Sequence, residues 1–161
     1  VSRTRTARLV HEGGQRFTAT TGSTRTVIYG DDAMANELSP VETVLVSLAA
    51  CSAMDVASIA AKKRQVITTY QIHVEGEQRD DYPQVYTSII VTHEVEGPDV
   101  EVAAIRRAIE LSATKYCPVN AMLSAGATEV HHRYRIRSRA SGQAEGEVLV
   151  TGPYRRPVED A

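Results

Sequence analysis

The chain has 161 residues, 42% of them apolar, enough for one globular core and too apolar for wholesale disorder. Its 18 basic and 20 acidic side chains leave a formal charge of −2, which excludes a general electrostatic pull toward nucleic acid or anionic lipid. No unbroken apolar run is long enough to predict a membrane span, and VSRTRTARLV lacks the apolar block of a secretory signal, so a cytoplasmic location is expected.

Residues 1–38 read as N-terminal strands. Segments 3–10 and 15–29 are rich in Thr, Val and Arg and are broken at Gly13-Gly14 and Gly22-Ser23, the pattern of hairpins. Residues 30–38 read as a loop. Residues 39–64 predict the central helix: Ser39 suits the N-cap, Pro40 the first helical position and Glu42 the third, a capping box. VLVSLAACSAMDVASIAA then carries one charge, so burial on several sides is expected, and Lys62-Lys63-Arg64 suits the C-terminus.

Residues 66–138 read as strands and a helix pair. VITTYQIHVE and VYTSIIVTHEV alternate as half-buried strands, the second with Val85, Ile89, Val91 and Val95 on one face. Val102, Ile105, Ile109, Ser112 and Tyr116 recur at helical spacing, Cys117-Pro118 interrupts, and Pro118 opens a short helix. In TEVHHRYRIRS, Val130, His132, Tyr134 and Ile136 are expected inside and Arg133, Arg135 and Arg137 outside. Residues 139–161 are an edge strand or tail. Strands and helices do not alternate strictly, so the expected class is α+β, an antiparallel sheet packed on the long helix, in a single domain over 1–161.

Two cysteines in a chain without a secretory signal point to a reversible rather than a structural disulfide, if they pair. Their separation of 66 residues matches no zinc or CxxC motif, and neither a metal nor another cofactor is expected. His131 and His132 are adjacent on a strand and face opposite sides; His73 and His93 are candidates to align across neighbouring strands. With one Phe and no Trp, the arginine stripe on residues 133–137 has no stacking platform for RNA and reads as a solvated face.

Cys51 lies mid-helix, where a small core hydrophobe and a reactive thiol are both admissible. Cys117 precedes a helix start, whose amides favour a thiolate, so local chemistry makes Cys117 the more acidic thiol and leaves open which sulfur attacks a substrate. Asp55, one turn after Cys51 on the same face, opposes a thiolate unless paired; it is expected to orient a cation or hold a buried hydrogen-bond network.

SPVETVL through AACSAMDV, KYCPV, and the segment YPQVYTSIIVTHEVEG resemble the OsmC/Ohr family, over roughly residues 3–138. The resemblance implies an intertwined homodimer with long central helices and active sites at the subunit interface. It implies reduction of organic or hydrogen peroxides, with Cys51 attacking, Cys117 resolving, and an external dithiol regenerating the pair. It also implies a Glu and an N-terminal-region Arg at the site. Here Val41 follows Pro40 and the glutamate is Glu42, a shift of about 100° around a helix. Glu42 is nine residues from Cys51, on nearly the opposite side of one continuous helix, so a capping and a catalytic role both stand. Arg16 is the first choice for the arginine and Arg25 the alternate. A non-catalytic small-molecule-binding dimer and a redox-sensing stress protein are the competing readings.

Overall fold

The computed structural model describes residues 4–22, 26–30 and 37–152. They fall in two compact units, Val1–Val44 and Leu45–Ala161. In the first, β1 (Ala7–Gly13), β2 (Arg16–Thr21) and β3 (Thr26–Tyr29) form an antiparallel sheet in that order. Gly13 and Gly14 turn the first hairpin at φ of 110° and 56°, a region side chains other than glycine rarely enter.

Helix α1 spans Pro40–Lys62, close to the expected 39–64. Its start shows the glutamate half of the expected capping box: the Glu42 carboxylate accepts from the Ser39 N–H at 3.3 Å, and the Thr43 hydroxyl donates to the Ser39 carbonyl at 3.1 Å. The helix buries one stripe, Leu48, Ser52, Val56 and Ala60, at four-residue spacing. Among the described residues the helix is not buried on several sides as expected. Val46 (56% exposed) and Met54 (74%) lie open, in line with the exposed Ala50 and Ala57. By length and composition α1 is apolar enough to cross a bilayer, although Ser, Thr and acidic residues interrupt its apolar run. Its buried stripe and the hydrogen bonds of Ser52 and Asp55 are instead those of a core helix.

In the second unit, β4 (Thr69–Gln78), β5 (Tyr86–Gly97), β6 (Glu129–Ser138) and β7 (Gly142–Thr151) form one sheet in sequence order. Every described strand pairing is antiparallel, as expected, except β5–β6, which is parallel. Two parallel neighbours need a long crossover, and the helical segment between them supplies it. That segment comprises α2 (Val102–Leu111), a π turn (Ser112–Tyr116) and α3 (Pro118–Ser124). The core joins Val56 and Ala60 of α1, Val95 of β5, Ile105, Ala108 and Ile109 of α2, and Tyr134 and Ile136 of β6.

Strand alternation sorts the sheet as the sequence indicates. Ile89, Val91 and Val95 are buried, as are Val130, His132, Tyr134 and Ile136. Val85 lies before β5 and is exposed, and Tyr116, expected on the apolar face of the second helix, is 49% exposed. Arg133, Arg135 and Arg137 do face outward, and they are neutralised: Arg135 meets Glu94 at 3.0 Å, Arg137 meets Glu96 at 2.6 Å and Arg133 meets Glu147 at 3.5 Å. The shallow groove over this face, about 570 Å³, is lined by the Arg135–Glu94 and Arg133–Glu147 pairs of this ladder. His73 and His93 do not align. The register sets His73 beside Thr92 and His93 beside Ile72, so the two imidazoles occupy opposite faces. The edge-strand reading of the C-terminal segment holds for β7; residues 153–161 lie outside the described residues.

Candidate active site

Three side chains from two elements converge in the second unit. Cys51 and Asp55 are one turn apart on α1, and Cys117 is the N-cap of α3. The two sulfurs and one Asp55 carboxylate oxygen all lie within 4.8 Å of one another. Both cysteines are free thiols; Cys117 is 3% exposed, and Cys51 is half-buried.

A change in helical pitch builds the junction. After Leu111 the chain adopts a π turn, with the Cys117 N–H bonded to the Ser112 carbonyl five residues back at 2.9 Å. Such insertions are uncommon and cluster at functional sites. Pro118 then opens α3, and the Asn120 N–H donates to the Cys117 sulfur at 3.3 Å. The helix-start effect read from the sequence is therefore present, but it loses. Burial, and then the hydrogen bond shared with Cys51, raise the Cys117 thiol well above its ordinary value despite the lowering by the Asn120 and Val119 amides. Cys117 is a protonated thiol at neutral pH: its desolvation overturns the expectation that the helix start favours its thiolate.

Asp55 does hold a buried network. The Ser112 hydroxyl donates to its Oδ2 at 3.0 Å. Ser52 Oγ stands 3.5 Å from Ser112 Oγ and 3.5 Å from His93 Nε2, and the Tyr70 hydroxyl lies 2.7 Å from His93 Nδ1. Burial, reinforced by the charge of Asp55, keeps the Tyr70 phenol protonated, so Tyr70 donates to Nδ1 and Nε2 carries the His93 proton. Behind Cys117, Asn120 donates from Nδ2 to the Ala113 carbonyl at 2.8 Å and accepts at Oδ1 from His132 Nε2 at 3.0 Å. That fixes the His132 tautomer and leaves its buried Nδ1 without a partner among the described residues. Burial lowers His93 to about 3 and His132 to about 4, so neither imidazole is a cation at neutral pH. Sequence reasoning placed His132 inside but did not single out Tyr70, Ser52, His93 or Asn120 as a network. Such a network is assembled across three strands and three helices and leaves no local spacing signal.

Of the remaining expected residues, Arg16 and Glu42 lie in the first unit. Arg16 Nε pairs with Glu37 Oε1 at 3.3 Å, and the Glu37 side chain is 6% exposed. Gly30 makes room for it, because a Cβ there would strike the Glu37 carboxylate. Glu37 was not anticipated as the partner of an arginine. Glu42 is engaged with Ser39. Arg25 lies outside the described residues.

With this geometry established, comparison with known proteins is decisive. The family described as OsmC-like protein matches residues 30–133, which include both cysteines. The chain belongs to the OsmC/Ohr family. It is 40% identical over 98 residues to Protein YhfA of Escherichia coli K12, covering 61% of this chain and 72% of that protein. A hypothetical protein from Aquifex aeolicus VF5 superposes with a TM-score of 0.75 at 27% identity, over 85% of this chain and 98% of that one. An organic hydroperoxide resistance protein OsmC from Legionella pneumophila shares the OsmC fold at 10% identity and a TM-score of 0.63, over 84% and 98% of the two chains.

Proposed function

We propose that this OsmC-family protein is a cytoplasmic thiol-dependent peroxidase acting on organic or hydrogen peroxides through Cys51 and Cys117. The observation that carries the reading is the convergence of the two sulfurs, one half-exposed and one buried and held protonated. The more accessible sulfur meets the peroxide first. The Cys51 thiolate attacks the hydroxyl-bearing peroxide oxygen, the O–O bond breaks with its electrons going to the leaving alkoxide or hydroxide, and that group takes a proton from solvent, leaving a Cys51 sulfenic acid and an alcohol or water. Cys117 then attacks that sulfur, the S–O bond breaks, and a disulfide and water form. The Cys117 thiol must lose its proton as the S–S bond forms, and the leaving hydroxide must gain one. Asp55, steadied by Ser112, is the carboxylate placed to pass it across. An external dithiol takes up the disulfide through thiol exchange.

The thiolate at Cys51 needs a positive partner, because Asp55 opposes it. Arg16 is the first candidate and Arg25 the alternate. The support for Arg16 is the buried Glu37 carboxylate that orients it. Glu42, whose carboxylate serves the first turn of α1, is read as a cap rather than as a site acid. The two units are read as one OsmC-like domain in a homodimer, with the exposed stripe of Val46, Ala50, Met54 and Ala57 as the apolar surface a second copy would cover.

The test is dithiol-coupled peroxide consumption together with the pH dependence of Cys51 alkylation in a Cys117→Ser background. The expected result is consumption proportional to protein and abolished by Cys51→Ser, with an alkylation inflection below the free-thiol value of about 8.5 that rises in Arg16→Ala or Arg25→Ala. The carboxylate beside the pair favours one second reading, a slow redox-sensing dithiol. An inflection at or above the free value, unmoved by either arginine, with turnover near background, would select it.

A further inference from the structure

We propose that the reduced Cys51–Asp55–Cys117 cluster is a binding site for a thiophilic divalent metal ion of the zinc class. The donor set is the first argument. Two thiols and one carboxylate present three ligand atoms within 4.8 Å of one another. Tetrahedral zinc, with bonds of about 2.3 Å to sulfur and 2.0–2.2 Å to oxygen, needs donors about 3.5–3.8 Å apart, a closure that side-chain rotation supplies. A carboxylate beside two thiolates suits zinc or cobalt(II) better than copper(I), which favours an all-sulfur site, and better than magnesium or calcium, which favour oxygen.

The surroundings are the second argument. Metal ligands work when groups behind them fix their orientation and charge. Ser112 donates to Asp55 Oδ2 and so fixes the carboxylate, whose two oxygens give it a second donor atom for a metal. The Asn120 amide donates to the Cys117 sulfur, and Asn120 is itself clamped by Ala113 and His132. Cys51 and Asp55 sit one turn apart on a rigid helix, a spacing at which two side chains chelate one ion. The half-exposed Cys51 leaves a side open for entry and for a fourth ligand, such as water.

Charge is the third. Among the described residues, the groups that act on Cys117 are Cys51 and the amides of Asn120 and Val119, none of them a cation. Two thiolates and a carboxylate carry three negative charges, and a divalent ion offsets two of them while displacing both thiol protons. Binding is therefore linked to pH and to redox state. Oxidation to the disulfide withdraws two of the three ligands, so metal and disulfide exclude one another. The site stands whether or not the pair reduces peroxides.

The experiment titrates untagged, fully reduced, full-length protein with cobalt(II) under anaerobic conditions and follows absorption. Expected is one ion per chain, with a near-ultraviolet sulfur-to-metal charge-transfer band and intense visible bands of a tetrahedral centre, bleached by one equivalent of zinc. Zinc affinity is then measured against a chromogenic chelator. Cys51→Ser and Cys117→Ser remove the charge-transfer band or halve it and weaken binding by at least about a hundredfold, and Asp55→Asn weakens it by at least about tenfold. Protein oxidised with diamide, which takes up the two electrons and two protons of the dithiol, binds no cobalt. Circular dichroism checks that each variant is folded, and oxidised wild-type protein provides the same test without a substitution. Cobalt uptake without a charge-transfer band, zinc affinity unchanged in Asp55→Asn, or equal binding by the reduced and disulfide forms would each overturn the site. None of these outcomes depends on peroxide turnover, whose loss would bear on the peroxidase reading alone.

Discussion

His93 and His132 are fully buried on the inner face of β5 and β6, their rings stacked with centroids 6.3 Å apart. Desolvation lowers them to about 3 and about 4, and each is lowered further by a neighbouring histidine, His132 in the first case and His131 in the second. An unfolded histidine binds its proton near 6.5. The folded values lie below the unfolded one, so the unfolded chain gains protons first. Stability is complete above pH 6.5 and is lost as pH falls toward about 4 and then about 3. Each withheld proton costs about 1.4 kcal/mol per pH unit once the unfolded group is charged, and between pH 7.5 and 5.0 the two together cost about 4 kcal/mol. That is a large share of the roughly 5–15 kcal/mol that holds a typical domain folded.

The assay is urea unfolding at fixed protomer concentration across pH 7.5–5.0, a window that ends before most carboxylates titrate. With a slope of about 2 kcal/mol per molar urea, the midpoint falls by about 2 M. His132→Gln removes one titration while an amide N–H still reaches Asn120 Oδ1, so its pH-dependent loss halves to about 2 kcal/mol even if the variant is less stable at pH 7.5. A wild-type midpoint that moves by less than about 0.5 M over the window, or a His132→Gln slope equal to the wild type, would refute the reasoning.

Two further outcomes follow from the same structure. Glu42→Gln keeps an acceptor for the Ser39 N–H and should leave the Cys51 alkylation profile unchanged, whereas Ser39→Ala should cost about 0.5–2 kcal/mol in urea unfolding if Ser39 acts as an N-cap; a shifted alkylation profile in Glu42→Gln would return the carboxylate to the site. Met54→Lys places a charge on the exposed stripe of α1 and should lower the sedimentation mass from two chains to one, while an unchanged mass would move the dimer surface elsewhere.

What was legible in the sequence was local or repetitive. Ser39-Pro40 and Glu42 declare a helix start because capping is settled within four residues. The two faces of β6 are readable because strand side chains alternate every second residue. The cysteine motifs were legible through resemblance, which identified the pair before any geometry did. The π turn at Ser112–Tyr116 was not, because one residue of extra pitch is set by what the helix packs against rather than by composition. The parallel β5–β6 pair was hidden for a related reason: α2 and α3 were read as a helix pair after the strands, not as the crossover that makes two strands run the same way. The Cys117 reading failed on a competition of magnitudes. The helix-start amides were visible in Cys117-Pro118, but the burial that outweighs them is a product of tertiary packing.

The charge balance at Cys51 is where these strands of argument meet. Asp55 is held by Ser112, and behind Ser112 stand Ser52, neutral His93 and protonated Tyr70, none of which supplies a positive charge. A thiolate beside a fixed carboxylate is unfavourable until a cation joins it. Whichever cation that is sets the chemistry of the pair. An arginine leaves the sulfur exposed to peroxide and permits turnover, a divalent ion occupies the sulfur lone pairs and suppresses attack, and with neither the pair is a slow dithiol. Asp55→Asn removes the opposing charge and keeps the shape, and its effect on zinc affinity is the readout that separates a metal-centred site from the other two. In an arginine-tuned site the Cys51 alkylation inflection falls further in the variant, while in a metal-centred site the affinity for zinc falls and the inflection of the metal-free protein still drops. An inflection that does not move when the carboxylate is neutralised would mean that Asp55 does not feel Cys51, and the electrostatic account of the site would fail with it.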